Sequence, residues 1–377
     1  MSAPRVHDAL DLPGLRLWLL DQWQPGRPYW EVAAQAMIDT TAHTAMDPDA
    51  VEAIMRVSPQ VRARGYASFE RRTLQGASLW YVTSEMCDLL EATLHGVPGD
   101  VLPTSLPEGV EAHGLVVFER PLLLHAREGG ELRVDAVLWG HADVFDVYDK
   151  RPGYRYDDDP HAISALGISS YAHHNLDDGL SPDDLSRAAV PLNQLILAGT
   201  IDSDALQHRE SGELAFSVHG DIWTPLGRSD WPMEDRIDEA HYLHPSPEGR
   251  ASAEEDRRLL AAFWTLVNQH TVTTTQVAHA PRHVARRSVR AGLPREASDV
   301  RVVILRKLAA PGDHPVSPSG RKLDHRVLVG GETGGFWRHQ PCGPGRAERK
   351  LIWIDPYVRG PEGTELRTPV TVRLWKR

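Results

Sequence analysis

Leu115-Val116-Val117-Phe118 places four apolar residues in a row between Gly114 and Glu119. A strand with one wet face alternates apolar and polar residues, so a run without alternation reads as a short strand buried on both faces. The clearest helix signal lies elsewhere, over 253–270. Ser252 and Glu255 have capping-box spacing, and Leu259, Leu260, Phe263, Trp264, Leu266 and Val267 follow as one apolar face. A chain with both features is α+β and has a substantial core. Its 377 residues suggest two to three domains and enough buried surface to fold without staples. With 41% hydrophobic and 25% charged residues it is neither a disordered chain, a collagen-like fibre nor a disulfide scaffold.

The pattern divides into three regions. Residues 1–112 read as mostly helical: Leu15, Leu17, Trp18 and Leu20 form one apolar run, and Val32 to Ile38 follow Pro28 at near-helical spacing. A further short helix is expected from about Asp47, ending at Pro59. Ser78 to Val82 reads as a strand, and Thr83 offers an N-cap oxygen to a helix through Met86, Leu89, Leu90 and Leu94. Residues 113–280 form a mixed, acidic region. It has strands at 115–118, 132–139 and 214–223, loops over 141–190 and an irregular, proline-rich connection over 225–250. Residues 281–377 combine a basic connector, 282–295, with a small antiparallel sheet from strand candidates 301–307, 325–329, 351–354 and 370–375. The expected fold is therefore a helical N-terminal part, a mixed middle and a small antiparallel C-terminal sheet.

Charge is distributed unevenly along the chain. The formal net charge is −11, yet residues 281–377 hold 20 Lys and Arg against nine Asp and Glu. A basic quarter on an acidic body points either to an anionic partner or to internal attraction between the two. Cys87 and Cys342 stand alone, with no CxxC, so neither a disulfide framework nor a cysteine metal site is expected, and a reducing compartment is the default. The first thirty residues carry Asp8, Asp11 and Asp21 and do not read as a secretory signal. No apolar run is long enough for a membrane span, so the expected location is cytoplasmic, with no membrane partner.

Two constellations could carry chemistry in the basic quarter. In the connector, Arg286, Arg287 and Arg290 fall at helical spacing and could share a face towards phosphates. In the stretch 325–361, Gly343 and Gly345 could shape an anion-binding loop, while Arg338, Arg346, Arg349 and Lys350 add charge and Gln340 adds an amide. Trp337 and Tyr357 could stack on bases, although Trp337 and Trp353 read equally well as core. His325 and His339 are the nearby groups with an ordinary pKa near neutrality, and so are the candidate catalytic residues.

An acidic constellation runs through Asp143, Asp146, Asp149, Asp157, Asp158, Asp159, His173, His174, Asp177 and Asp178. It matches no metal motif and reads first as a solvated loop, so no metal site is assigned. Ser169 and Ser170 near His173 and Asp177 do not make a triad on sequence proximity alone. The chain has no GxxxxGK[ST], no GxGxxG opening a helix, no HExxH and no GxSxG, and no cofactor is implied.

The C-terminal run resembles the ending of an uncharacterised protein family of actinobacterial genomes, plasmids and phages. That ending has a His on a strand, then Gly-His-Trp-Arg, a Gly-x-Gly-Arg loop, Trp-Ile-x-Pro and a closing Gly-Pro. The matching positions are His325, Trp337, Arg338, Gln340, Gly343, Gly345, Trp353, Ile354, Pro356, Gly360 and Pro361. The segments 79–82 and 115–122 are also similar to it. Phe336 stands where the pattern has His, so a catalytic role for that position would not transfer. The resemblance implies a bacterial or phage context and no particular reaction.

Three functions fit these features. The first is nucleic-acid binding through the basic C-terminal region. A metal-independent nuclease is one form of it, with His325 or His339 moving protons and Arg338 or Arg346 steadying charge on phosphorus. The second is a non-catalytic interaction protein with a protein partner or a second copy of itself. The third is an enzyme acting on a small phosphorylated ligand or nucleotide.

Overall fold

In the computed structural model, the described residues are 3–27, 30, 59–94, 106, 110–125, 131–144, 163–175, 206–208, 214–216, 221–232, 247–306, 331–333, 335–354 and 357–359. The helices are α1 (Leu12–Gln22), α2 (Pro59–Gly76), α3 (Ser84–Leu94), α4 (Pro247–Val267) and α5 (Arg282–Arg290). The first strands are β1 (Ser78–Val82), β2 (His113–His125), β3 (Glu131–Val144) and β4 (Ile163–Asn175). Then come β5 (Leu206–His208), β6 (Leu214–Phe216), β7 (Asp221–Pro232), β8 (Thr273–Ala278) and β9 (Val300–Leu305). The last are β10 (Gly331–Thr333), β11 (Phe336–Cys342), β12 (Glu348–Ile354) and β13 (Tyr357–Arg359). The fold is α+β, with a helical N-terminal region, a mixed sheet and small antiparallel C-terminal pairings.

The main sheet has seven strands in the order β7-β4-β3-β2-β1-β9-β8. β1 lies parallel to both β2 and β9, and every other pairing is antiparallel. Parallel neighbours need a crossover, and α3 lies on the one between β1 and β2. Successive side chains on a strand point to opposite faces, so the apolar run in β2 feeds two cores. Trp80, Val82, Val116 and Phe118 pack with Met86 and Leu90 of α3 and Leu259, Phe263 and Trp264 of α4. Leu79, Tyr81, Leu115 and Val117 pack with Leu12, Leu15 and Leu19 of α1 and Leu74 of α2. Helices thus cover both faces of the central strands, which is why those strands carry no polar stripe.

Polar seams fasten the layers. Tyr171 donates to the buried carboxylate of Glu70 at 2.7 Å and accepts from the Trp23 indole at 3.2 Å, tying β4 to α2 and to the end of α1. Gly114 permits a close approach across β2 and β3. A Cβ there would lie 2.0 Å from the Trp139 ring.

Several expectations change. Strand β4 lies within 141–190, expected as loops, because Leu166 and Ile168 complete one core while Tyr171 enters the other. Strand β7 runs to Pro232, through part of the expected irregular connection, paired with β4 along its length. Helix α4 begins at Pro247, so Ser252 and Glu255 lie inside it and form no N-terminal cap. The Thr83 hydroxyl makes no hydrogen bond, and the start of α3 is held by Glu119, which accepts from the Ser84 backbone at 2.6 Å and its hydroxyl at 2.8 Å. The candidate strand 301–307 appears as β9 and joins the main sheet, where Val300 and Val303 are buried on the two faces. The segments expected as helices over 32–38 and from Asp47 to Pro59 lie outside the described residues, except for Pro59, which opens α2. The strand candidates 325–329 and 370–375 also lie outside them.

Candidate nucleic-acid interface

The basic connector folds as α5. Pro281 precedes its first turn, accepting from the backbone N–H groups of Val284 and Ala285. The helix ends in a Schellman arrangement: Leu293 N–H donates to the Ser288 carbonyl, Gly292 N–H to that of Val289, and Gly292 takes φ +84. Buried Ser288 and Leu293 set the roll of the helix against the second core. The exposed side chains are mainly cationic, and Arg287 and Arg290 fall in the last turn, where the helix dipole favours positive charge.

Arg287 and Arg290 face a cleft of about 510 Å³ between α1, α2 and α5. Arg71 and Gln75 of α2 form the opposite wall, while Leu17, Trp18 and Leu20 of α1 supply apolar surface. Arg27 also lines it, and its guanidinium is paired with Asp21 at 3.1 Å. Among the described residues, no ion pair engages Arg71, Arg287 or Arg290. These three guanidinium groups, from two helices far apart in the chain, therefore line one concavity. Arg286 is exposed on α5 and is not among the residues lining the cleft.

The glycine-rich stretch forms a ribbon of β11 and β12. Trp337 faces Trp353 across the ribbon with ring centroids 5.3 Å apart, and its indole N–H donates to the Thr93 carbonyl at 3.1 Å. The Gln269 side chain donates to the Trp353 carbonyl at 2.6 Å and accepts from its N–H at 2.7 Å. These contacts make Trp337 a fastener of the ribbon to α3. Gly335 is required by the same packing, since a Cβ there would lie 2.3 Å from the Trp353 ring.

The outer part of the ribbon remains polar. Arg338, His339, Arg346, Arg349 and Lys350 are exposed, and Arg338 donates to the Gln340 amide oxygen. Gly343, Gly345 and Arg346 adopt positive φ in the turn. The expected anion nest has an acidic neighbour: a Cβ on Gly343 would lie 2.7 Å from the Glu348 carboxyl carbon. Tyr357 lies in β13 opposite Thr333, and His325 lies outside the described residues.

The two basic stretches do not merge. α1, α2 and Leu293 after α5 pack on the sheet face that presents Leu79 and Tyr81, whereas α3, α4 and the ribbon's Trp353 pack on the face that presents Trp80 and Val82. The cleft and ribbon therefore belong to opposite layers of the molecule. Sequence reading missed Arg71 and Arg27 because nothing local distinguishes an arginine on a cleft wall from one on a solvated helix.

Ser169, Ser170 and His173 make contacts within the fold. The Ser169 hydroxyl donates to Glu70 on one face and that of Ser170 to Asp256 on the other, at 3.1 Å for Ser170, so the two serines share no site. The backbone N–H of His173 donates to Asp135 at 2.9 Å, and its Nε2 lies 3.0 Å from Asp221. Burial pushes the His173 pKa below its ordinary value, against the raising pull of Asp135 and Asp221. His174 follows on β4 and is buried. Asp143 lies on β3, whereas Asp146, Asp149, Asp157, Asp158, Asp159, Asp177 and Asp178 lie outside the described residues. Among the described residues, no three His, Cys, Asp or Glu side chains cluster as metal ligands.

Comparison with known proteins gives one short match. The model of the AcrVA2-like family, described as anti-CRISPR type V subtype A2, matches residues 334–360, which span the ribbon and β13. No curated protein and no solved structure matches the chain significantly.

Proposed function

We propose that this protein binds nucleic acid through basic surfaces, with the cleft between α1, α2 and α5 as the principal one. The observation that carries the reading is the convergence of Arg71, Arg287 and Arg290 without carboxylate partners among the described residues, in a chain whose net charge is −11. Charge left unpaired at a concavity of an acidic protein is available to an anion. Arginine forks match phosphate oxygens in geometry as well as in charge. The exposed cations of the ribbon, Arg338, Arg346, Arg349 and Lys350, supply a second, flatter surface.

The short match favours a second, compatible reading. The name of that family concerns interference with a CRISPR system, and CRISPR effectors work on an RNA guide paired with a target strand. A phage-associated protein that interferes with such a system, by contact with its nucleic acid or its protein, fits both the match and the basic surfaces.

Fluorescence anisotropy with labelled single- and double-stranded RNA and DNA at about 50 and about 200 mM salt tests the first reading, since phosphate-driven binding weakens steeply over that interval. Binding that is lost at the higher salt and weakened by Arg287→Ala/Arg290→Ala is the expected result. No binding to any probe at the lower salt overturns it and leaves a protein partner as the remaining target.

A further inference from the structure

The shape of the cleft narrows its ligand, on the premise that the protein binds nucleic acid. We propose that the cleft receives a terminal phosphate monoester of a single-stranded nucleic acid, with Arg71, Arg287 and Arg290 on the phosphate and the adjoining nucleoside on the apolar surface of α1.

The charge of the site selects the ligand. Among the described residues, Arg27, Arg71, Arg287 and Arg290 line the cleft with one carboxylate, Asp21, which Arg27 already holds. An internal phosphodiester carries one negative charge. A terminal monoester carries about −1.5 to −2 at neutral pH and offers three acceptor oxygens. Three guanidinium groups lining one cleft, with no carboxylate partner among the described residues, match the second better than the first. A surface that follows a nucleic-acid backbone instead distributes its cations along a groove.

Size and lining agree. About 510 Å³ lies within the range of small-ligand pockets and is too small for a duplex. Leu17 and Leu20 add aliphatic surface to the lining, suited to a sugar or the face of a base, while Gln24 and Gln75 provide amides that can both donate and accept. A deeply charged slot with no apolar surface would suit inorganic phosphate alone. Outside the rim, Arg286 continues the positive charge of α5 and is available to the next phosphate of a longer strand.

The test compares one single-stranded oligonucleotide in three forms, with a 5′-phosphate, with a 3′-phosphate and with hydroxyls at both ends. A charge-assisted contact typical of arginine and phosphate corresponds to a preference of roughly tenfold or more for a phosphorylated end over the hydroxyl form. That preference is expected to disappear in Arg287→Ala/Arg290→Ala, whose exposed positions leave the melting temperature close to that of the parent. Arg349→Ala/Lys350→Ala is expected to weaken all forms alike and to keep the preference. Equal affinity for all three forms overturns the end-binding assignment while leaving nucleic-acid binding in place. A preference that survives in Arg287→Ala/Arg290→Ala overturns its placement in this cleft. Displacement of the phosphorylated oligonucleotide by an equal concentration of nucleoside monophosphate overturns the polymer end in favour of a free nucleotide. Failure of every form to bind at low salt removes the premise as well.

Discussion

The thiol of Cys87 lies in the core at the start of α3, 3.7 Å from the Val82 carbonyl, and burial pushes its pKa up to about 11. A thiol that neither ionises near neutrality nor meets solvent is unreactive. Cys342, at the end of β11, is half-exposed. Titration of the native protein with a thiol reagent is therefore expected to modify one cysteine, Cys342, with the second appearing only in denaturant. Rapid modification of two in the native state would contradict the packing of α3 on β1. The same contrast of setting separates Trp337 from Arg287. Both were candidates on residue type, but the indole N–H is held by Thr93 while the guanidinium stands at a cleft with no carboxylate partner among the described residues. Neither difference is visible in the neighbouring sequence.

At the level of elements, the ribbon of β11 and β12 is held to the body by a few specific contacts. Gln269, just after α4, bonds both backbone groups of Trp353, and Trp337 reaches Thr93 at the end of α3. Replacing Gln269 by Ala removes two hydrogen bonds from a half-buried seam, at a cost of about 1–3 kcal/mol. The expected consequence is faster tryptic cleavage after Arg346 in the exposed turn, with the melting temperature of the main body little changed. Cleavage at the parent rate would mean that the paired tryptophans alone hold the ribbon. Helix α5 is anchored differently, by Leu293 and the positive φ of Gly292 at its end. Gly292, Leu293 and Pro294 follow the arginines in the sequence and mark that end. By contrast, the Ser252–Glu255 signature proved internal to α4, because a capping box identifies a helix start only where the helix begins.

For the whole molecule, the sheet sets the spacing between surfaces. The cleft and the ribbon lie in opposite layers, so substitutions in the two share no contacts. Their effects on binding free energy are expected to add within about 0.5 kcal/mol when Arg287→Ala/Arg290→Ala is combined with Arg349→Ala/Lys350→Ala. In salt titrations with single strands, loss of two phosphate contacts from either surface lowers the slope by roughly 1.4. Strong non-additivity would place the two sets of cations on one surface and contradict the layer assignment. The sequence alone determined the α+β class, the doubly buried strand in β2, the apolar face of α4 and the basic character of the last quarter. These depend on local periodicity and composition, which each segment carries by itself. Only the tertiary structure decided that β4 is a strand within an acidic stretch, that β9 leaves the C-terminal sheet for the main one, and that Arg71 joins Arg287 and Arg290 across a cleft. Strand pairing and the approach of distant helices are set by how two cores close on a shared sheet, and no window of sequence contains both partners of such a contact.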